Sequence, residues 1–199
     1  YIEDTIDILR TMDKEENTIL NAHGFITQIR RRPLGVVLCM GPFNYPLNET
    51  IAMLIPALIM GNTVVMKLPK FGALCVVPLL KAFRDCFPAG VINIINGDGA
   101  EIIPPIMETG KITVLGFIGS ANIANKIITQ HPWPNRLRTI LGLEAKNPAF
   151  VFADADLELA VKECIAGSLE FNGQRCTAIK HIWVHESIAE KFLERLSEE

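Results

Sequence analysis

Short apolar runs rich in β-branched residues alternate along the chain with longer segments whose apolar residues recur at helical spacing. The short runs predict strands at 35–40, 63–67, 91–95, 113–118, 149–152 and 181–185. The longer segments predict helices at 48–60, 73–87, 100–108, 121–130, 156–171 and 187–197. Because strands and helices alternate through short connections, the pattern predicts a mainly parallel α/β sheet with helices on its faces.

Two segments do not follow this alternation. Residues 1–27 are charged and predict a helix, which leads to a strand at 25–29. The stretch His131-Pro132-Trp133-Pro134-Asn135 is the clearest break and indicates a domain crossing or a surface loop. His131 lies in that stretch, and we expect it, like His181 and His185 beside the last strand, to be a surface or strand-end residue.

Composition excludes several classes of protein. The chain has 199 residues, 49% hydrophobic and 21% charged, which is too apolar for a disordered protein. Its net charge of −3 and single basic run at 30–32 argue against a nucleic-acid partner. No run approaches the ~18 apolar residues of a membrane span, so no membrane partner is expected.

Cysteine usage points to a reducing compartment. The five cysteines are widely spaced and contain no C-x-x-C motif, which argues against a disulfide framework or a zinc site. We therefore expect no metal and a cytoplasmic location.

Cys176 is the strongest candidate nucleophile. It follows the turn residues Asn172 and Gly173, which favours an accessible side chain, and the neighbouring Arg175 supplies positive charge that favours the thiolate. From these residues alone, a buried structural cysteine remains the alternative.

Polar residues follow the strands predicted at 35–40 and 63–67, and ligands gather at the carboxyl ends of parallel strands. Asn44 offers an amide donor after the first of these strands, unless it belongs to a plain turn. Lys67 and Lys70 lie at the end of the second, where two cations suit a phosphate or a ribose, unless they extend into solvent.

Two junctions between strands and helices have weaker signals. Gly97-Asp98-Gly99 is similar to part of a dinucleotide-binding fingerprint, although Ile102 occupies the third glycine position. Ser120 precedes the helix at 121–130, where it caps the helix or lies beside a cofactor phosphate.

In their order and spacing, the motifs resemble those of the aldehyde dehydrogenase superfamily, from about residue 25 to the end. The matching motifs are Pro42-Phe43-Asn44-Tyr45-Pro46, Gly61-Asn62-Thr63-Val64-Val65-Met66-Lys67, Pro88-Ala89-Gly90-Val91-Ile92-Asn93, Phe117-Ile118-Gly119-Ser120, Lys146-Asn147-Pro148, Asp154-Ala155-Asp156-Leu157 and Gly173-Gln174-Arg175-Cys176. Asn-Tyr-Pro and Gln-Arg-Cys most resemble the non-phosphorylating, NADP-dependent glyceraldehyde-3-phosphate dehydrogenases.

The resemblance implies a Rossmann-like sheet with flanking helices, followed by the start of a second α/β domain. It divides the chain into an amino-terminal helix and oligomerisation-type strand at 1–33, a cofactor-binding domain at 34–142 and the beginning of a catalytic domain at 143–199. It also implies that the chain is a fragment of a longer protein, inactive in isolation, whose full-length form is a homodimer or homotetramer.

The resemblance assigns the chemistry as follows. The Cys176 thiolate attacks an aldehyde, and the Asn44 amide and the Cys176 N–H stabilise the oxyanion. Lys67, Ser120, Gly97 and Phe43 contact the cofactor. Lys70, where NAD-dependent members often have glutamate, favours NADP over the alternative, NAD. Arg175 and Tyr45 contact the substrate, for which glyceraldehyde 3-phosphate is favoured.

One departure from the family concerns hydrolysis. The family motif Glu-Leu-Gly-Gly-Lys reads Gly142-Leu143-Glu144-Ala145-Lys146 here, so Gly142 replaces the glutamate that activates water. Glu144 is the only acid nearby and is displaced by about 6–7 Å along an extended chain. An aldehyde dehydrogenase of other specificity, one that transfers its acyl group to another acceptor, and a non-catalytic member therefore remain alternatives.

Overall fold

The computed structural model describes the backbone of residues 1–199 and the side chains of residues 1–21 and 23–199. The chain divides into two compact units, 1–142 and 143–199. The helices are α1 (Ile2–Glu16), α2 (Asn48–Ile59), α3 (Val77–Cys86), α4 (Gly99–Glu108), α5 (Ala121–Thr129), α6 (Leu157–Leu169) and α7 (Ala189–Glu198). The strands are β1 (Leu20–Ala22), β2 (Phe25–Thr27), β3 (Val36–Met40), β4 (Thr63–Lys67), β5 (Ile92–Ile95), β6 (Ile112–Ile118), β7 (Arg138–Gly142), β8 (Pro148–Val151) and β9 (His181–Val184).

The first unit is built on a five-stranded parallel sheet with the order β5-β4-β3-β6-β7. This confirms the predicted α/β class. The central strands form the core, where Leu38, Val64 and Leu115 are fully buried. Strands covered on both faces read as continuous apolar runs, which is why the sequence revealed them.

Strand β7 has no counterpart among the predicted elements. All five of its residues are exposed, and it pairs with β6 along one edge of the sheet. The apolar alternation that predicts a strand comes from burying one face, so an exposed strand lacks it.

His131 corrects the expectation of a surface histidine. Its side chain is buried, with Nε2 3.0 Å from the Ile112 carbonyl oxygen and Nδ1 accepting from the Trp133 N–H at 3.0 Å. Both ring nitrogens are thus satisfied, which makes burial of the imidazole affordable. Through these two hydrogen bonds, His131 connects the Pro-rich stretch to the start of β6.

Gly41 allows α2 to cross closely over the end of β3. A Cβ atom at this position would overlap Thr50 Oγ1 and lie 3.0 Å from the Thr50 Cα. Thr50 is fully buried, and its hydroxyl donates to the Pro46 carbonyl at 2.8 Å. The short β3–α2 loop therefore requires a residue without a side chain at its first position.

Replacing Gly41 with alanine should destabilise the chain by about 2–4 kcal/mol, because the added methyl group forces α2 away from the sheet. Chemical denaturation of the 199-residue chain measures the effect. Gly99→Ala is the matched control, since a Cβ there comes no closer than 3.9 Å to Lys67 Cε. Equal stabilities for the two variants would contradict the predicted close packing.

The second unit contains a parallel pair of strands, β8 and β9, connected through α6 and covered by α7. Phe192 of α7 is almost completely buried among Val151, Val161 and Cys164. Asp156 caps α6 by accepting from the Leu159 N–H at 3.1 Å. This cap marks where α6 begins.

No helix within the described residues has both the length and the apolar character needed to cross a bilayer.

Candidate active site

The first unit collects most of the predicted ligand-binding residues at one edge of its sheet. Met40 at the end of β3 is level with Lys67 of β4 on one side and with Phe117 of β6 on the other. The carboxyl edge of the sheet therefore contains the loop after β3, the end of β4 and the loops after β5 and β6.

The order of the strands selects one point on that edge. From β3 the chain moves outward through β4 and β5, and then returns to β6 on the opposite side of β3. In open parallel sheets, ligands bind where the direction of winding reverses. The loop that contains Asn44 and the β6–α5 junction that contains Ser120 flank this point, and both Asn44 and Tyr45 are half-buried there.

Lys67 is a buried cation at the same edge. The residue is only 8% exposed. Burial lowers the pKa of its ammonium group, while the carboxylate of Asp98 acts in the opposite direction. Because burial removes part of the water around this cation, a ligand oxygen that reached Nζ would be favoured.

Two glycines shape the start of α4 next to this lysine. Gly97 has a φ of +145°, and a Cβ there would overlap the Ile102 side chain, the residue that departs from the glycine fingerprint. A Cβ at Gly99 would lie 4.0 Å from Lys67 Nζ, which places the ammonium group against the first residue of α4. Asp98 caps α4 by accepting from the Ala100 N–H at 2.8 Å.

Ser120 caps α5, as one of its two interpretations predicted. Its Oγ accepts from the Ile123 N–H at 3.4 Å. The peptide dipoles of α5 give its N-terminal end a partial positive charge. Capping by Ser120 is compatible with an anion at the same helix end, although it does not require one.

The loops after β3 and β4 pack on one another. The rings of Phe43 and Phe71 meet edge to face with centroids 6.4 Å apart, and Lys70 Nζ lies 5.8 Å from the Phe71 ring centroid. Gly72 has a φ of +78°, and a Cβ there would overlap Pro46. Lys70 is therefore held at the surface near Phe43 rather than extended freely into solvent.

In the second unit, Cys176 lies in an exposed turn, as predicted. The Ala178 N–H donates to the Arg175 carbonyl at 3.2 Å, so Cys176 is the second residue of a β-turn. Before this turn, Phe171, Asn172 and Gly173 have φ values of 54°, 56° and 67°. This left-handed stretch reverses the chain after α6 and is unusual for residues other than glycine.

Arg175 is paired within its own loop. Its Nη1 lies 2.5 Å from a Glu170 carboxylate oxygen, and its guanidinium carbon is 5.2 Å from the Phe171 ring centroid. A substrate phosphate at this residue would share the guanidinium with Glu170 or displace that carboxylate.

Two further residues, which the sequence did not indicate as site residues, hold the same loop. Asn147 Nδ2 donates to the carbonyls of Cys176 and Ala178 at 2.6 and 2.9 Å. Lys180 Nζ donates to the carbonyls of Arg175 and Ala178 at 3.1 and 2.6 Å. Asn147 belongs to a motif that the sequence displayed, but nothing local to Lys180 indicated that its side chain folds back.

Glu144 is exposed and lies three residues before Asn147. It is therefore at most about 10 Å along the chain from a residue that contacts the Cys176 loop. Gly142 ends β7 and pairs with Ile118 across the sheet. It has no left-handed φ, so its backbone accepts other residues.

No group of metal-ligating side chains occurs in the part of the chain that the structure describes. A cavity of about 550 Å³ in the first unit lies near the opposite edge of the sheet, between α2 and the 31–34 segment, and is lined by Met53, Met60, Asn62 and Ile140 among others. None of the predicted site residues lines this cavity, so it is separate from the candidate active site.

The sheet and its carboxyl edge define an α/β protein of the class that binds ligands at a topological switch point. Comparison with known proteins identifies the family. The model of the "Aldehyde dehydrogenase family" matches residues 1–199, and the chain belongs to that family.

Individual relatives agree with this assignment. The chain is 40% identical over 173 residues to the NADP-dependent glyceraldehyde-3-phosphate dehydrogenase of Streptococcus equinus, covering 86% of this chain and 36% of that one. It is 35% identical over 193 residues to the alpha-ketoglutaric semialdehyde dehydrogenase of Bacillus subtilis strain 168, covering 96% and 38%.

A solved structure shows the same fold. NADP-dependent glyceraldehyde-3-phosphate dehydrogenase from Bacillus halodurans C-125, complexed with NADP, superimposes with a TM-score of 0.85 at 33% identity, covering 99% of this chain and 43% of that chain. The chain therefore spans less than half the length of these relatives.

Proposed function

We propose that the protein containing this chain oxidises an aldehyde to a carboxylic acid with NADP, and that glyceraldehyde 3-phosphate is the favoured substrate. The observation that carries the proposal is the exposed Cys176 on a turn held by Asn147 and Lys180. A thiol that is both accessible and held in place is suited to nucleophilic catalysis. Family membership supports the reaction class.

In the proposed reaction, the Cys176 thiolate attacks the aldehyde carbon and forms a thiohemiacetal. The Cys176 N–H and the Asn44 amide donate hydrogen bonds to the developing oxyanion. Loss of hydride from the same carbon leaves a thioester on Cys176. Water then hydrolyses the thioester, releasing the acid and the thiol.

NADP, when bound, accepts the hydride. We assign its binding to the carboxyl edge of the first unit, with Lys67, Gly97, Ser120 and Phe43 in contact with it. The Lys67 ammonium group fits such a ligand because it lies on a buried residue, where burial removes part of its water and lowers its pKa. Ribose hydroxyls or a 2′-phosphate would supply oxygens in place of that water.

Arg175 and Tyr45 are assigned to the phosphate of the substrate. The Glu170 carboxylate already pairs with Arg175 and keeps the guanidinium fork in one orientation. A bidentate phosphate matches that fork better than a single carboxylate oxygen does. The relative from Streptococcus equinus, whose name specifies glyceraldehyde 3-phosphate, supports this substrate.

The cofactor assignment predicts the effect of Lys70→Glu. Reversing the charge should lower kcat/KM for NADP relative to NAD about 10- to 100-fold, because attraction to the 2′-phosphate becomes repulsion. Steady-state kinetics with both cofactors measure the ratio. Lys111→Glu makes the same change of charge before β6, at the other edge of the sheet, and should leave the ratio unchanged. An unchanged ratio in Lys70→Glu would reject the assignment of Lys70.

Pre-steady-state kinetics test the proposed function. The longest natural form of the protein is mixed with glyceraldehyde 3-phosphate and NADP, and NADPH is followed by absorbance. We expect a burst close to one equivalent per subunit followed by slow turnover, because Gly142 replaces the usual base. Absence of a burst with this and other aldehydes, together with a Cys176 that resists alkylation, would reject the proposal.

The second candidate function is a non-catalytic member that binds ligands or partners. Gly142 is the observation that favours it, because the residue that the family uses to activate water is missing. The burst experiment distinguishes the two candidates, since formation of the thioester does not require that residue.

A further inference from the structure

The loop that carries Cys176 is held by hydrogen bonds to three of its carbonyl groups. Lys180 Nζ and the Ala178 N–H both donate to the Arg175 carbonyl, at 3.1 and 3.2 Å. Asn147 holds the Cys176 carbonyl and shares the Ala178 carbonyl with Lys180. The Lys180 N–H in turn donates to the Asn147 carbonyl at 2.8 Å, so the two residues that hold the turn are also bonded to each other.

The Arg175 carbonyl and the Cys176 N–H belong to one peptide group. A trans peptide is planar, so its N–H points opposite to its C=O. The described part of the chain contains no cis peptide bond, so this peptide is trans. With the carbonyl turned toward Lys180 and Ala178, the Cys176 N–H is directed out of the turn, and it makes no hydrogen bond among the described residues.

We propose that Lys180 is a positioning residue for the reaction proposed above, because its ammonium group holds the Arg175 carbonyl and thereby orients the Cys176 N–H toward the oxyanion. This inference rests on the proposed function. Lys180 touches neither substrate nor cofactor in this role, and acts through the peptide group between Arg175 and Cys176.

The positive charge of Lys180 adds a second effect. A hydrogen bond from a charged donor is about twice as strong as a neutral one. A cation on the carbonyl oxygen withdraws electron density from the peptide and makes its N–H a better donor, since consecutive hydrogen bonds polarise each other. Lys180 should therefore assist the step in which negative charge develops on the aldehyde oxygen.

The proposed role of Lys180 predicts different effects on two reactions of the Cys176 thiol. Attack on an aldehyde creates an oxyanion, whereas alkylation by iodoacetamide displaces iodide and creates none. A residue that orients the oxyanion donor should matter for the first reaction only. A residue that merely maintains the fold of the loop should matter for both.

The test compares Lys180→Met, Lys180→Arg and the control Lys162→Met in the longest natural form of the protein. Lys162 is exposed on α6. We expect Lys180→Met to slow the NADPH burst at least about 10-fold, a part of the ~10²–10³ typical of losing a whole oxyanion donor. Alkylation of Cys176 by iodoacetamide should stay within about twofold once the thiol is fully ionised. Lys180→Arg, which keeps a charged donor, should restore most of the burst rate.

Nuclear magnetic resonance supplies a readout that needs no turnover. In Lys180→Met, the chemical shifts of the Arg175 carbonyl carbon and the Cys176 amide nitrogen should both change. These two atoms belong to the peptide group that loses its hydrogen bond from the Lys180 ammonium group. Lys162→Met should leave both resonances in place. If neither moves in a folded Lys180→Met protein, the proposed contact is wrong.

The kinetic outcomes are also decisive. If the wild-type protein shows no burst with any aldehyde tested and its Cys176 resists alkylation, the proposed function is overturned, and this inference with it. A burst that is equally fast in Lys180→Met overturns this inference alone. Parallel loss of burst and alkylation assigns Lys180 a purely structural role and overturns it as well.

Discussion

Cys176→Ser should abolish the NADPH burst, lowering the rate of acylation by on the order of 10⁴-fold or more. The serine hydroxyl has nearly the size of the thiol, so the turn between Arg175 and Ala178 should persist. A hydroxyl is far less ionised than a thiol near neutral pH, and it is therefore a much weaker nucleophile. Rapid-mixing absorbance measurements give the burst amplitude directly.

The matched control for this variant is Cys86→Ser, which alters another exposed cysteine at the end of α3. It should retain the full burst and remain open to alkylation at Cys176. Mass spectrometry after mixing with an aldehyde locates the acyl group. An acyl group on Cys86, or a burst that survives in Cys176→Ser, would place the nucleophile elsewhere.

Gly142→Glu should raise the steady turnover that follows the burst by about 10²–10⁴-fold, the range typical of general base catalysis. The substitution restores the carboxylate that the family motif has at this position. The backbone accepts it, because Gly142 has no left-handed φ. A Cβ there lies 3.1 Å from Ile118 Cγ1, which requires only a small shift of a half-buried side chain.

Gly142→Gln is the matched control, since it adds the same bulk without a basic oxygen. Multiple-turnover kinetics should show the increase for glutamate and not for glutamine, with the same burst amplitude in both. A third variant, Glu144→Gln, tests whether Glu144 already serves as the base in the wild-type protein. Rapid turnover in the unchanged protein that disappears in Glu144→Gln would identify Glu144 as the base and would contradict the expected gain from Gly142→Glu.

The sequence predicted those strands that are buried on both faces of the sheet. Strands β3, β4 and β6 read as apolar runs because helices or loops cover both faces, and their positions agree with the prediction to within about two residues. Strand β7 could not be predicted in this way, since all of its residues are exposed and only hydrogen bonds to β6 define it. His131 was assigned to the surface because its hydrogen-bond partners are not visible in the sequence around it.

In the candidate site, too, the sequence predicted some features and could not predict others. The positions of Asn44, Lys67 and Ser120 followed from the rule that ligands gather at the carboxyl ends of strands. The burial of Lys67 and the pairing of Arg175 with Glu170 depend on tertiary contacts, which a linear pattern does not contain. The contacts of Lys180 could not be predicted for the same reason, because its side chain folds back onto carbonyl groups earlier in the chain.

The left-handed stretch before Cys176 has an evolutionary consequence. Gly173 combines a φ of +67° with a Cβ position 3.0 Å from the Ser168 carbonyl oxygen, so any replacement is strained and crowded. Cys176, by contrast, lies on an exposed turn that tolerates other small side chains. Under the proposed function, a lineage that lost catalysis could therefore replace the sulfur and keep a folded protein, whereas replacing the glycine would disrupt the loop. We expect Gly173 to persist in such descendants after Cys176 has changed.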